Sequence, residues 1–172
     1  MVRAIAGAVR SACDRLGIRV PRVSLEPGRS IAGPTTVTLY RVGVVKDAIL
    51  DDGARRRYVS IDGGMADNIR PALYGATYTA AVANRVSQAP VVRCRVVGKH
   101  CESGDVVVWD VDLPDDVSRG DLLAVPATGA YGYSMASNYN MLTKPGVVAV
   151  EDGAAGWVVR PQTLEDLLAL QG

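Results

Sequence analysis

Residues 91–113 of the chain, VVRCRVVGKHCESGDVVVWDVDL, contain two valine-rich runs, Val91–Val97 and Val106–Leu113. The polar turn Glu102-Ser103-Gly104-Asp105 lies between them. Short runs of β-branched residues that are bounded by turn residues are typical of strands. This stretch therefore predicts two strands joined by a turn.

The same pattern continues from about Thr35 onward. Asp-Gly pairs recur between further apolar runs, and they favour tight hairpins because glycine tolerates positive φ. Frequent short strands of this kind predict an antiparallel β-sandwich or barrel, so the expected fold class is mainly β. The other predicted strands are Thr36–Leu50, Arg56–Ile61, Leu122–Val125, Gly146–Val150 and Gly156–Val159.

Two segments depart from the strand pattern, and a helix is expected after them. Ala66–Asn84 mixes Arg, Pro, Tyr and Gly, and Thr128–Leu142 is rich in Gly, Ser, Asn and Tyr. Thr163, with two acidic residues behind it, is predicted to cap a final helix that continues through Leu170.

The N-terminal residues have a different organisation. Apolar residues at helical spacing predict a helix up to Leu16, ended by Gly17, and a short strand is predicted at Arg22–Leu25. A parallel strand needs neighbouring strands to pair with. We therefore expect residues 1–33 to be the end of an incomplete α/β domain and residues 34–172 to be a β-domain with short helices.

Composition excludes several classes of protein. The 172 residues carry a net charge of +1, so no basic excess indicates nucleic-acid binding. No apolar run approaches the roughly 18 residues that cross a membrane, and no leader segment is apparent. Three cysteines without C-x-x-C spacing indicate neither a disulfide framework nor a metal site. The single histidine argues against a zinc hydrolase, and the absence of P-loop and Rossmann glycine patterns argues against a P-loop enzyme and a Rossmann dehydrogenase. We expect a cytoplasmic protein.

Two short motifs contain arginines suited to anions. In Glu26-Pro27-Gly28-Arg29, glycine allows the backbone to approach a bound group and Arg29 suits phosphate or carboxylate; the alternative is a turn with a solvated ion pair. Arg70 and Tyr74, four residues apart, share one face of a helical turn and suit a carboxylate; the alternative is an arginine stacked on its own tyrosine.

Two further motifs contain tyrosine, thiol and carboxylate groups. Gly129–Asn140 is unusually polar and aromatic, although a tyrosine-bearing surface loop is an equal alternative. Cys101 and Glu102 suit a proton donor and a cation anchor; the alternative is a hairpin turn with a half-buried cysteine. His100 need not pair with Cys101, since consecutive strand side chains point to opposite faces.

The order of these motifs resembles diaminopimelate decarboxylase, a family of pyridoxal-phosphate enzymes that join a TIM barrel to a C-terminal β-domain. The resemblance extends from the first helix to Trp157, and it implies that the chain corresponds to the last barrel helix, the last barrel strand and the β-domain. The motifs that match are Glu26–Ser30, Asp62–Met65 with Arg70–Ala76, Cys101–Asp105, and Gly129–Asn140.

The resemblance implies pyridoxal 5'-phosphate as cofactor and meso-diaminopimelate as substrate. At the cofactor, Glu26 would face the pyridine nitrogen, Gly28 and Arg29 would lie at the phosphate, and Tyr131 would complete the site. At the substrate, Arg29 and Tyr131 would also contribute, Arg70 and Tyr74 would hold the far carboxylate, Glu102 would bind the far ammonium group, and Cys101 would be the proton donor. Asp62 matches a loop position near the substrate.

The resemblance also implies that the site is incomplete within this chain. In the family the Cys-Glu loop reaches across a homodimer interface, and the lysine that binds the cofactor covalently lies early in the barrel. Lys46, Lys99 and Lys144 match no such position. The isolated chain is therefore expected to be inactive unless a barrel half or a second decarboxylase subunit is supplied.

Two alternatives remain open. The chain is also compatible with a non-catalytic β-domain remnant or subunit-binding module, because motifs that face a barrel would also form an interface. Within the enzyme class, an ornithine, arginine or carboxylated-polyamine decarboxylase is possible, although Arg70 and Glu102 favour a substrate with both a carboxylate and an amine at its far end.

Overall fold

The computed structural model describes residues 1–169 and residue 171. Its α-helices are α1 (Val2–Leu16), α2 (Gly28–Ala32), α3 (Arg70–Tyr74), α4 (Gly132–Met135) and α5 (Leu164–Leu168). Its strands are β1 (Val37–Ile49), β2 (Arg55–Ile61), β3 (Ala81–Val82), β4 (Val91–Val97), β5 (Val106–Pro114), β6 (Leu122–Pro126), β7 (Val147–Glu151) and β8 (Ala154–Val159). Short 3-10 turns lie at Gly33–Thr35 and Tyr139–Met141.

Six of the strands form one nearly closed, barrel-like sheet in the order β3-β6-β1-β2-β4-β5. The long strand β1 pairs with β6 through its first half, where Val37 faces Pro126, and with β2 through its second half, where Ile49 faces Arg55. Its register shifts between Val42 and Val45, where such an irregularity bends a strand. The predicted mainly β class is confirmed.

The prediction that all strands are antiparallel is wrong at one place. Strands β2 and β4 pair in parallel, with Arg57 opposite Cys94 and Ser60 opposite Val97. The chain between them, residues 62–90, forms a crossover that contains α3 and β3, and a crossover returns the next strand in the same direction. The Asp62-Gly63 pair therefore begins a crossover rather than a hairpin.

The other two Asp-Gly pairs do form hairpin turns. Gly53 has a φ of 81° between β1 and β2, and Asp152 and Gly153 have φ values of 48° and 79° between β7 and β8. The positive φ of both Asp152 and Gly153 matches the two-residue turn that joins right-twisted antiparallel strands. Strands β7 and β8 form a separate two-stranded sheet.

The core lies inside the six-stranded sheet and is made of aliphatic side chains. Burying each of these side chains fully stabilises the fold by roughly 1.5–3 kcal/mol. The alternation of buried and part-exposed residues along β2 is the period-2 pattern of a half-buried strand. The most fully buried side chains are Val42, Val59, Cys94, Val96, Val107, Val108, Leu113, Leu123 and Val125.

Helices α1 and α5 lie near the two ends of the chain, as predicted. Helix α1 ends as predicted at Gly17, whose φ is 67°. The predicted strand Arg22–Leu25 is wrong: residues 18–27 have no regular secondary structure, since no strand in the described part of the chain pairs with them. Thr163 caps α5 as predicted, and Leu170, the expected last residue, lies outside the described residues. No helix among residues 1–169 is long and apolar enough to cross a membrane.

Candidate functional site

The Arg70 guanidinium lies against two tyrosine rings. Arg70 is the first residue of α3, and the helical turn brings it onto the same face as Tyr74. Its guanidinium carbon is 5.4 Å from the centroid of Tyr74 and 5.4 Å from that of Tyr131, so both contacts are of the cation–π type. The predicted stacking of Arg70 on its own tyrosine is therefore present, together with a second ring that lies 61 residues away in the sequence (131 − 70).

The backbone around Tyr131 has an unusual conformation. Tyr131 has a φ of 64° and precedes α4, and Ala127 has a φ of 62°. A left-handed conformation is uncommon in residues other than glycine and occurs often at functional sites. The N–H of Gly129 donates to the carbonyl of Gly33 (3.0 Å), and a Cβ at Gly129 would lie 2.1 Å from the carbonyl oxygen of Ala32. Glycine here lets the Tyr131 loop pack directly against the end of α2.

A cleft of about 520 Å³ brings Arg29 and Arg70 to one place. Its wall also contains Pro126, Ala127 and Ala130, the last of which precedes Tyr131 in the sequence. Two guanidinium groups on one cleft suit phosphate or carboxylate, which accept paired hydrogen bonds from them. Gly28 is the first residue of α2 beside Arg29. Glu26 is exposed and forms no hydrogen bond or ion pair with another residue that the structure describes.

The Cys101–Glu102 loop forms a second cluster. Both residues are exposed, and the hydroxyl of Tyr139 donates a hydrogen bond to Oε1 of Glu102. That bond raises the pKa of Tyr139 above its ordinary value. The neighbouring His100 is buried and pairs through Nδ1 with Asp105 at 2.8 Å. No hydrogen bond joins His100 to Cys101 in the described residues.

The two clusters do not meet within the chain. Among residues 1–169, no hydrogen bond, ion pair or aromatic contact joins Arg70, Tyr74 or Tyr131 to the Cys101–Glu102 pair. The contacts of Asp105 and Tyr139 were not predicted from the sequence. The CESGD motif contains Asp105, but nothing in a sequence shows that its carboxylate faces inward.

A second, smaller cleft has a volume of about 250 Å³. Asp62, Lys99 and Lys144 line it, so Asp62 lies on a different cleft from Arg29 and Arg70. The hydroxyl of Tyr40 donates to Oδ2 of Asp67 at 2.5 Å inside this cleft. Burial raises the pKa of both side chains, which favours the protonated form of each.

Comparison with known proteins identifies the family to which the chain belongs. The sequence model of the C-terminal sheet domain of pyridoxal-dependent decarboxylases matches residues 19–129. The chain belongs to this family.

Relatives of this pyridoxal-dependent decarboxylase domain share its sequence over most of its length. The chain is 58% identical to the diaminopimelate decarboxylase of Mycobacterium tuberculosis over 91% of its residues and 35% of that protein. It is 51% identical to the diaminopimelate decarboxylase of Bacillus subtilis over 98% of its residues and 37% of that protein. The chain thus spans about a third of the length of the curated relatives it matches.

Solved decarboxylase structures have the same fold. The diaminopimelate decarboxylase of M. jannaschii in complex with L-lysine matches with a TM-score of 0.78 and 33% identity, over 92% of this chain and 35% of that one. The enzyme of Helicobacter pylori complexed with L-lysine matches with a TM-score of 0.73 and 36% identity, over 85% of this chain and 34% of that one. An arginine decarboxylase from a Chlorella virus, at 19% identity and a TM-score of 0.54, shares the fold alone.

The residues of this decarboxylase domain fit one part of pyridoxal phosphate. The family description implies this cofactor, and the cationic cleft of Arg29 and Arg70 suits its phosphate or a substrate carboxylate. Its aldehyde needs a lysine amine. Lys99 and Lys144 line the smaller cleft and Lys46 lies in β1, so none of the three lines the cationic cleft. In the part of the chain that the structure describes, the cationic cleft thus contains two arginines and no lysine.

Proposed function

We propose that the chain is the C-terminal part of a pyridoxal-phosphate-dependent meso-diaminopimelate decarboxylase. In this reaction the bond to one α-carboxyl group breaks, carbon dioxide leaves, and a proton takes its place to give L-lysine. The observation that carries the proposal is the Arg70 guanidinium, held by two tyrosine rings on the cleft that Arg29 shares. The curated diaminopimelate decarboxylases at 51% and 58% identity support the choice of substrate.

On the cofactor side, the chain would supply groups that bind and orient. Arg29 and Gly28 would hold the phosphate, Tyr131 would close the site, and Glu26 would face the pyridine nitrogen. When bound, the cofactor supplies the electron sink that decarboxylation needs. The left-handed backbone of Tyr131 supports a fixed role for its side chain, because such strain persists only where the surroundings determine the conformation.

On the substrate side, opposite charges would match the two charged groups at the far end of diaminopimelate. Arg70 and Tyr74 would bind the far carboxylate, and the stacked rings would keep the guanidinium plane in one orientation. Glu102 would bind the far ammonium group, and Cys101 would donate the proton that replaces the lost carboxyl. The exposure of Cys101 and Glu102 supports contact with groups outside this chain's own fold.

We further propose that two subunits build each site. Among residues 1–169, the Cys101–Glu102 loop shares no hydrogen bond, ion pair or aromatic contact with the Arg70 cluster, which is expected if the loop enters the site of a homodimer partner. Residues 1–33 would complete a barrel, residues 34–172 would form the β-domain, and the barrel would supply the lysine. The chain alone would then be inactive. The cytoplasm, where thiols stay reduced, would preserve Cys101 as a thiol.

Reconstitution tests this function. The chain is combined with a separately expressed barrel half of a diaminopimelate decarboxylase, and carbon dioxide release from labelled meso-diaminopimelate is measured. We expect release that requires both pieces, the cofactor and Cys101, with ornithine and arginine as poor substrates. A soluble complex that contains both pieces and the cofactor but releases no carbon dioxide contradicts the proposal. A complex that prefers ornithine or arginine contradicts the choice of substrate.

A further inference from the structure

The buried carboxylate of Asp105 fixes the base of the Cys101–Glu102 loop. Its Oδ1 accepts from the N–H of Met65 at 2.7 Å. Its Oδ2 accepts from the N–H of His100 and is paired with Nδ1 of the same residue, each at 2.8 Å. A Cβ at Gly98 would lie 2.1 Å from Oδ2, so the carboxylate is closely enclosed. Two backbone N–H groups and the His100 ring hold this one side chain, which leaves the loop base little freedom.

The His100 ring contacts both Asp105 and Tyr139. Nδ1 of His100 is hydrogen-bonded to Oδ2 of Asp105, and this bond fixes the ring's orientation. The His100 side chain is 1% exposed, and its Nε2 has no hydrogen-bond partner in the described residues. The ring stacks on Tyr139 with centroids 5.8 Å apart and planes inclined by 26°. His100 therefore serves as a fixed surface under the Tyr139 ring.

The backbone of Tyr139 is also held. Its N–H donates to Oγ of Ser137 at 3.3 Å, and the N–H of Ser137 donates to the carbonyl of Ala66 at 2.8 Å. The next two residues, Asn140 and Met141, have φ values of 55° and 57°. Two consecutive left-handed residues that are not glycine persist only where the surrounding structure imposes them. Both the ring and the backbone of Tyr139 are thus restrained.

The Tyr139 hydroxyl donates to only one of the two Glu102 carboxylate oxygens. An exposed glutamate side chain otherwise samples many rotamers, and that freedom is lost on binding a ligand. We infer that Tyr139, supported by the His100–Asp105 pair, is a positioning residue that holds one oxygen of Glu102 and leaves Oε2 free for a substrate ammonium group. This inference rests on the proposed function for the identity of the cation.

A double-mutant cycle in the reconstituted enzyme tests the inference. We expect Tyr139→Phe to raise KM for meso-diaminopimelate about tenfold, the effect of one hydrogen bond to a charged group, with kcat nearly unchanged. Combined with Glu102→Gln, it should add almost nothing, because Tyr139 would act on KM through the Glu102 carboxylate that this change removes. Tyr58→Phe, which removes a tyrosine hydroxyl from β2, is the matched control. Effects of Tyr139→Phe and Glu102→Gln that simply multiply, or an unchanged KM, overturn the inference.

A measurement on the chain alone separates this inference from the proposed function. The carboxyl ¹³C resonance of Glu102 is recorded by NMR in the unmodified chain, in Tyr139→Phe and in Tyr58→Phe. We expect a shift only in Tyr139→Phe. An identical resonance in all three overturns the positioning role even in an active enzyme. A shift confined to Tyr139→Phe supports it even if the reconstituted complex fails to decarboxylate diaminopimelate, the result that rejects the proposed function.

Discussion

The Arg70 side chain shows how a few local contacts prepare a residue for recognition. A guanidinium in water is free to rotate, whereas that of Arg70 lies on the faces of Tyr74 and Tyr131. Among the described residues its N–H groups donate no hydrogen bond, so they are available for paired hydrogen bonds to a carboxylate. The pairing with Tyr74 was predictable, since residues four apart on a helical turn are neighbours. The pairing with Tyr131 was not, since it depends on how two distant loops pack.

Replacing Arg70 with alanine tests its role in specificity. In the reconstituted enzyme we expect Arg70→Ala to lower kcat/KM for meso-diaminopimelate on the order of a hundredfold, the cost of removing one partner of a charged pair. Turnover of ornithine, which has no far carboxylate, should change little. The control is Arg93→Ala on β4, an exposed arginine beside Asp112. Equal losses for both substrates would contradict the assignment of Arg70 to the far carboxylate.

At the scale of elements, the strands were predictable and one of their pairings was not. Valine-rich runs with turn residues between them gave β1, β2 and β4–β8 to within two residues. The parallel contact of β2 with β4 depends on the path of residues 62–90, which local sequence does not encode. The short strand β3 escaped detection because it has only two residues. The predicted strand Arg22–Leu25 failed because strands are stabilised by neighbours.

An ion pair joins Asp121, directly before β6, to Arg85 in the crossover between β2 and β4. The contribution of this pair to stability depends on pH. Asp121 accepts hydrogen bonds from Arg85 at 2.8 and 2.9 Å, and Arg85 lowers the pKa of Asp121 to about 2. The unfolded pKa is about 3.9, so Asp121 stabilises the fold above pH 4, and this contribution is lost as the pH falls towards 2.

Asp121→Asn should therefore destabilise the chain at neutral pH and make its stability less dependent on pH between 4 and 2. Urea unfolding followed by circular dichroism at several pH values measures both effects. Asp51→Asn, in the exposed turn after β1, is the matched control and should change neither. A variant that keeps the same acid dependence as the unmodified chain would contradict the role of Asp121.

The N-terminal helix has a weaker attachment than the sheet. Only Cys13 of α1 is buried, whereas Val2 and Leu16 are 61% and 67% exposed. Large aliphatic side chains left in water forgo roughly 1.5–3 kcal/mol each of burial, and such a stripe favours association. We predict that residues 1–29 of the isolated chain exchange amide hydrogens rapidly while β1, β2, β4 and β5 remain protected. Strong protection in α1 of the isolated chain would refute this.

Two clusters of candidate residues lie at separate places on the six-stranded sheet and its connecting loops. The Arg29–Arg70 cleft and the Cys101–Glu102 loop each contain residues that sequence motifs had identified, yet no hydrogen bond or ion pair joins them in the described part of the chain. The motifs predicted which residues matter, because residue type decides chemistry. The proposed convergence could not be predicted from one sequence, because it would depend on chains beyond this one. We propose that the two clusters meet across two subunits.

Subunit complementation tests that claim most directly. Two reconstituted decarboxylases, one with Cys101→Ala and one with Arg70→Ala, are each assayed and then mixed in equal amounts under conditions that exchange subunits. If each site takes Cys101 from one subunit and Arg70 from the other, half of the sites in mixed dimers are intact, and exchange should restore about a quarter of the unmodified rate in a symmetric dimer. Mixed dimers that form, as shown by native mass spectrometry, and yet release no more carbon dioxide than the separate variants would contradict the account.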